Sequence, residues 1–476
     1  MDARPRWLFA LFVAVAALHL LPIWSVHLIP TVDGPSHVYN AVVLRELAAG
    51  SPEFSRVFVA RLRPNPNWLG HALLFLFISV VPPLVAEKLL VSLIVLLFLA
   101  GCWRLGGPYA FLAMPLAFHL LLQMGFYNYS LGVGLVLHAI ASWLRDQSGW
   151  RPGAWLLLCT FAHPLPAAAA IVFIAIAWLM TSRRWQRLLP LVAPALILGW
   201  FFLQPNRPGG QWTWNGALLW QPLFRMVLLF TFDQRQITFG TALGVVYTAL
   251  IIATLLMDGL RTRPTVFLVL TLVAVAMYLA APISIQEGLL LKARLLIFPF
   301  VLVLPWLTPR LARMPLAVAL ALVATANVFY IRECWKRNEK VMERAIAPIS
   351  FATPRRTLLP LVFDHSTPFS HLGFLSHAVS YAAIDRRLVD FGDYEAEQTY
   401  FPVAFRAGLR RPAIYDVEAL PATIDVGSYA SIVDYVYTWK MPPRSSVETG
   451  ITKVYDLVAA DGDARLYARK TNQPTR

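Results

Sequence analysis

RPRWLFALFVAVAALHLLPIWSVHLIPTVDGPSHVYNAVVLREL (residues 4–47) sets the terms on which the rest of the chain is read. A basic flank precedes an apolar run of about 22 residues, and about 20 suffice to cross a bilayer. A signal-peptide core is roughly 7–15 residues long, and no clean small-x-small cleavage site follows, so the run reads as a retained first span. Asp33 and His37 come directly after it. The apolar residues Val38, Ala41, Val42 and Leu47 then recur at helical spacing, which predicts an interfacial helix lying on the bilayer.

Composition extends this reading to the whole chain. The 476 residues are 58% hydrophobic and 14% charged, with a mean hydropathy of +0.59. Soluble domains carry roughly 25% charged residues, so the class is a polytopic membrane protein. The formal charge is +15, and residues 1–331 hold 22 Lys+Arg against 9 Asp+Glu. Such a basic apolar body suits anionic lipid headgroups. No Lys/Arg run with interleaved aromatics resembles a nucleic-acid surface. Cys102, Cys159 and Cys334 are too scattered for a disulfide framework or a thiolate metal site.

Spans are predicted near 7–29, 67–82, 84–103, 109–123, 126–144, 154–181, 188–204, 240–258, 265–282, 292–307 and 314–331. The basic connectors RPR (4–6), TSRRWQR (181–187), RTRP (261–264) and PRLAR (309–313) belong on the cytoplasmic side. About eleven crossings satisfy them, within a range of about ten to thirteen, with the N-terminus inside and the C-terminus outside. LRDQSGWR (144–151) strains that map by facing outward, and splitting 154–181 at HPLP (163–166) is the alternative. The expected organisation is a membrane module, 1–331, with outer loops 30–66 and 205–239, followed by a small α/β extracytoplasmic domain, 332–476. Trp212, Trp214 and Trp220 in the second loop suit an interfacial belt. In the tail, YASIVDYVYTW (429–439) is strand-like, and TKVYDLVAADGDARLYARK (452–470) predicts a hairpin turning at Asp461-Gly462. No internal repeat is evident, which disfavours an inverted-repeat transporter.

Acids are scarce in the membrane module. Asp2 and Asp258 fall beside basic inner connectors, and Glu87 is placed with Lys88 or the inner interface. Asp33, Glu46, Glu53, Asp233 and Glu287 remain as outward carboxylates. Two readings compete for Asp33: an N-cap before Gly34-Pro35, or a catalytic or binding carboxylate. His37, one turn on, is either an exposed helix residue or a second site residue. His71 and His163 read as hydrogen-bonded helix histidines. No His-x-x-x-His or acidic pair at ligand spacing joins them, so no metal site is expected. Arg45, Arg56, Arg61 and Arg63 crowd the first outer loop. Arg45 or Arg56 pairs with Glu46 or Glu53, or with lipid headgroups, and Arg61 and Arg63 are candidates for substrate binding. Lys292 and Arg294 begin a span at its outer end, where cations snorkel or bind phosphate. In FDQRQ (232–236), Asp233 and Arg235 either line an acceptor site or form a salt-bridged loop.

The order of these parts resembles the GT-C superfamily of membrane glycosyltransferases, which includes protein O-mannosyltransferases and aminoarabinose transferases. The resemblance rests on the first span, VDGPSHVYNAVVLREL with its early aspartate, the multi-span body, LLLKARLLIFPF with its late cations, and the C-terminal domain. Protein O-mannosyltransferases have an Asp-Glu pair where this chain has Asp33-Gly34. The resemblance implies an inverting transfer of sugar from a polyprenyl-phosphate donor to a glycan, lipid or protein acceptor, at the outer face of the cytoplasmic membrane. Asp33 is then the general base, and Arg294 with Lys292 holds the donor phosphate. His37, Arg61, Arg63, Asp233, Arg235 and Glu287 are the further substrate-binding candidates. Polyprenyl phosphate is a good leaving group and no D-x-D-like pair is present, so no cofactor and metal independence are expected. The rival classes are a flippase for lipid-linked saccharides and a non-catalytic envelope scaffold.

Overall fold

The structure, a computed structural model, describes residues 6–63, 65–145, 150–181, 184–204, 220–259, 265–284, 290–308 and 314–470. The chain is mostly helical with a mixed sheet near its C-terminus. Among the described residues, six helical stretches are long and apolar enough to cross a membrane: Arg6–Trp24, Pro83–Gln123, Pro164–Thr181, Trp185–Phe202, Gln234–Asp258 and Met314–Phe351. Leu69–Ile78 and Thr265–Ala280 are shorter apolar helices. By these lengths and compositions it is a multi-pass membrane protein.

Proline and glycine reshape several expected spans. The run expected over 109–123 is broken into short 3-10 and α pieces between Gly107 and Gln123. Gly107 adopts φ +56° there, and Pro108 and Pro115 cannot donate the hydrogen bonds that a continuous helix needs. The run 154–181 is divided at His163-Pro164 into Trp150–Ala162 and Pro164–Thr181, which is the split alternative. The first span ends at Trp24 rather than 29.

The chain divides into two compact units. The first comprises residues 1–24, 65–69 and 91–333. Within it, helix Tyr127–Arg145 is buried from Tyr127 through Trp143, as a helix surrounded by others must be. Small residues let a neighbour approach closely. A Cβ on Gly101 would lie 2.7 Å from Leu137 Cβ, and one on Gly134 would lie 3.2 Å from Leu97 Cβ. This is the small-residue packing typical of helices in lipid.

The second unit comprises residues 25–64, 70–90 and 334–476, so the expected first outer loop is grouped with the C-terminal residues. Its strands are β1 (Phe58–Ala60), β2 (Thr357–Val362), β3 (Val389–Asp390), β4 (Val403–Phe405), β5 (Tyr435–Trp439), β6 (Tyr455–Asp461) and β7 (Ala464–Arg469). β1 pairs antiparallel with β4. The other five form one sheet in the order β3-β2-β5-β7-β6, with β2 parallel to both β3 and β5. The predicted hairpin is β6–β7, and Gly462 supplies the positive φ, +58°, that its tight turn requires. Only Tyr435–Trp439 of the strand-like 429–439 is extended.

Helix Gly34–Ala48 is buried on every side from Gly34 to Val43. That corrects the expected interfacial helix, which would keep one face in the headgroups. The cause is polar pairing that helical spacing cannot reveal. Tyr39 donates to the Leu388 carbonyl and accepts from Asp390 N, and Asn40 donates to Asp393 at 2.8 Å. Each bond satisfies a buried polar group that would otherwise destabilise the fold.

Candidate functional site

Three chain segments build the site within the second unit. Helix Gly34–Ala48 carries His37, and helix Leu69–Ile78 carries His71. The third segment follows β3, where the chain turns through Gly392. A Cβ at Gly392 would sit 2.4 Å from Pro360 Cγ, so only glycine lets the chain pass there. Pro360 itself is tolerated in β2 because β3 pairs only Thr357 and Leu358, leaving the rest of β2 with a single partner strand. The short 3-10 turn Tyr394–Ala396 then delivers Glu395.

Glu395 is fully buried and lies between the two imidazoles. Its Oε1 meets His37 Nδ1, and its Oε2 lies 2.7 Å from His71 Nε2. The two rings stand edge to face with centroids 5.1 Å apart, and Phe401 packs against both. Burial alone would raise the Glu395 pKa, but the two histidines outweigh it and hold the carboxyl well below the usual range. His37 is 5% exposed and His71 2%. The exposed-helix reading of His37 is therefore corrected, whereas His71 is hydrogen-bonded as expected.

Asp33 occupies the N-cap position of its helix, yet its side chain makes no cap hydrogen bond. Its Oδ1 lies 3.5 Å from His377 Nε2. His377 stacks on Tyr394 at 4.7 Å, and its other nitrogen is 3.8 Å from Glu418 Oε1. Burial, then His365, pushes His377 down to about 3, so its imidazole is neutral at physiological pH. Glu418 is pushed up to about 8, first by burial and then by the charges of Asp33 and Glu397. Its Oε1 is buried, although the side chain as a whole is 36% exposed. His365 donates to the Glu418 carbonyl at 3.0 Å and fixes the backbone there. A carboxylate and a nearby carboxyl that keeps its proton are the ingredients of general acid–base chemistry.

The basic candidates lie in the first unit. Lys292 is buried and donates to the carbonyls of Tyr278 and Leu279 at 3.1 and 3.2 Å, capping the last turn of helix Thr265–Ala280. Its expected snorkelling toward water is thereby corrected. Arg294 donates to His163 Nε2 at 2.7 Å and lies over the Phe126 and Tyr129 rings. These acceptors orient the cations.

The remaining candidates are placed as follows. Arg61 donates to the Gln398 carbonyl at 2.5 Å, and Arg63 is exposed. Asp233 caps helix Gln234–Asp258 through Gln236 N at 2.8 Å and also accepts from Tyr330, so it is engaged in helix capping. Arg235 is exposed beside it. Glu287 lies outside the described residues, as do Trp212 and Trp214. Arg45 donates to the Ile78 carbonyl rather than to a loop acid. Glu87 accepts from Tyr381 at 2.8–2.9 Å and is buried in the second unit.

Glu395, His377 and Glu418 were missed by sequence reasoning. Residues 332–476 hold 17 acids, so scarcity singles out none of them. The one local hint is the glycine turn in DFGDYEA (390–396).

A multi-span helical chain with a C-terminal mixed sheet and a buried polar cluster around helix Gly34–Ala48 is similar in fold to the GT-C glycosyltransferases. The ArnT crystal structure from Cupriavidus metallidurans bound to undecaprenyl phosphate matches with a TM-score of 0.54 and 14% identity, over 99% of this chain and 100% of that one. Its apo form gives a TM-score of 0.50 and 14% identity, over 97% of each chain. The arabinofuranosyltransferase AftD from mycobacteria gives 0.53 and 15% identity, and the chain spans 40% of AftD's length. No family model and no curated protein sequence matches the chain.

Proposed function

We propose that this chain is an inverting membrane glycosyltransferase that moves a sugar from a polyprenyl-phosphate donor to an acceptor hydroxyl at the outer face of the cytoplasmic membrane. The N-terminus is cytoplasmic, and the second unit faces outward. Asp33 carries the reading. It is a carboxylate at a helix start whose side chain makes no cap hydrogen bond, and it lies close enough to Glu418 to raise that carboxyl's pKa. Likeness of fold to ArnT, whose structure holds undecaprenyl phosphate, supports the donor class.

In the reaction Asp33 takes the proton of the acceptor hydroxyl. The acceptor oxygen bonds to the anomeric carbon from the face opposite the phosphate. The bond from that carbon to the phosphate oxygen breaks, and its electron pair leaves with the polyprenyl phosphate. Arg294 stabilises the charge on this leaving group, with Lys292 adding positive potential. Glu418, which holds its proton at neutral pH, keeps a second negative charge away from Asp33.

The test is Asp33→Asn, assayed in membranes with a labelled polyprenyl-phosphate sugar. Asparagine keeps the shape and removes the base, so transfer should fall about 100- to 10,000-fold. Transfer at the wild-type rate would sink the assignment.

A further inference from the structure

We infer that His37, His71 and Glu395 form a binding site for a zinc-class divalent cation. One potential ligand atom from each residue lies within 4.8 Å of the others, and all three side chains are buried. Ligands at about 2.0–2.2 Å around a tetrahedral zinc sit roughly 3.3–3.5 Å apart. Each imidazole now contacts a Glu395 oxygen more closely than that, so an ion would enter as the two rings draw back from the carboxylate. Two imidazoles and one carboxylate match zinc and its borderline neighbours. Magnesium and calcium prefer all-oxygen shells, and copper(I) prefers sulfur. The free cysteines are Cys102, Cys159 and Cys334, none of which belongs to the cluster.

The surroundings suit a held ion. Phe401, itself buried, packs against both imidazoles and keeps bulk water from the cluster. The Asn40–Asp393 hydrogen bond fixes the approach of the chain two residues before Glu395. That outer support orients the ligand carboxylate, as such groups do in metalloproteins. The three ligands come from three segments, so an ion would clamp helix Gly34–Ala48 and helix Leu69–Ile78 to the turn at Tyr394–Ala396. His37 is one helical turn beyond Asp33, and its amide donates to the Asp33 carbonyl at 3.1 Å. The site stands independently of sugar transfer, because binding can be measured without donor or acceptor.

The full-length protein, purified in detergent and stripped with EDTA, is titrated with Zn²⁺ against a chromophoric chelator and checked by elemental analysis. The expected result is about one zinc per chain, with affinity falling as pH drops because imidazoles bind metal only when deprotonated. His37→Ala, His71→Ala and Glu395→Gln should each weaken binding at least about tenfold, whereas His377→Ala should retain it. If the variants fail to fold, X-ray absorption of zinc-loaded wild type decides, and two imidazole nitrogens with one carboxylate oxygen are expected. No saturable binding by wild type, unchanged binding in all three variants, or a ligand shell lacking imidazole would overturn the site and leave a His–Glu–His contact that holds no ion.

Discussion

Buried charge is handled in two different ways in this molecule. In the second unit, Asp33 and Glu395 meet histidines, and Glu418 keeps its own proton. In the first unit, Lys292 donates to carbonyls, and Arg294 meets an imidazole nitrogen and aromatic faces. Titratable partners allow protons to be moved and charge to be shared. Carbonyl, imidazole and aromatic partners orient a cation without taking up a proton from it. The contrast teaches that proton transfer and phosphate binding call for different neighbours.

The sharpest way to break this division is to compare Asp33→Asn with Arg294→Ala. Asp33→Asn should lower kcat by about 100-fold or more with little change in the donor KM. Arg294→Ala should raise the donor KM, and loss of a charge-assisted contact worth about 1.5–3 kcal/mol corresponds to roughly 10- to 150-fold. Identical effects of both variants on kcat and KM would erase the distinction.

Stability gives the next effect. Glu395→Ala leaves His37 and His71 without the carboxylate between them, which should cost about 3 kcal/mol, read as a lower unfolding temperature in detergent. A shift no larger than that of a surface variant would mean that the cluster contributes little. On the first unit, Asp233→Ala removes a helix cap and should cost about 1 kcal/mol in the same measurement.

The smallest effect is a pH slope. Folding raises the Glu418 pKa from 4.5 to about 8, so between those values the folded protein holds a proton that the unfolded chain releases. Stability therefore falls as pH rises across that window, and Glu418→Gln should flatten the decline. An unchanged slope in the variant would assign the titration to another group.

Several features were legible in advance because they depend on neighbours in sequence. The apolar runs show where helices can lie, and Asp461-Gly462 announces the β6–β7 turn. Scarcity among acids drew attention to Asp33, and the late cations to Lys292 and Arg294. Other features were not legible for a definite reason. Val38, Ala41, Val42 and Leu47 carry a helical period, but the period cannot tell a helix lying on lipid from one enclosed by protein. Asp233 has the same local setting as any acid at a loop end, and only the bond from Gln236 shows it to be a cap.

The sequence alone therefore determined the class of molecule and where most apolar helices lie, since hydropathy and turn chemistry act over a few residues. Tertiary structure decided which buried charges meet. His71 and Glu395 are 324 positions apart and hydrogen-bonded, and neither has a local pattern that names the other. Burying a carboxylate is costly unless a partner arrives, and here the folding of distant segments brings His37 and His71 to Glu395.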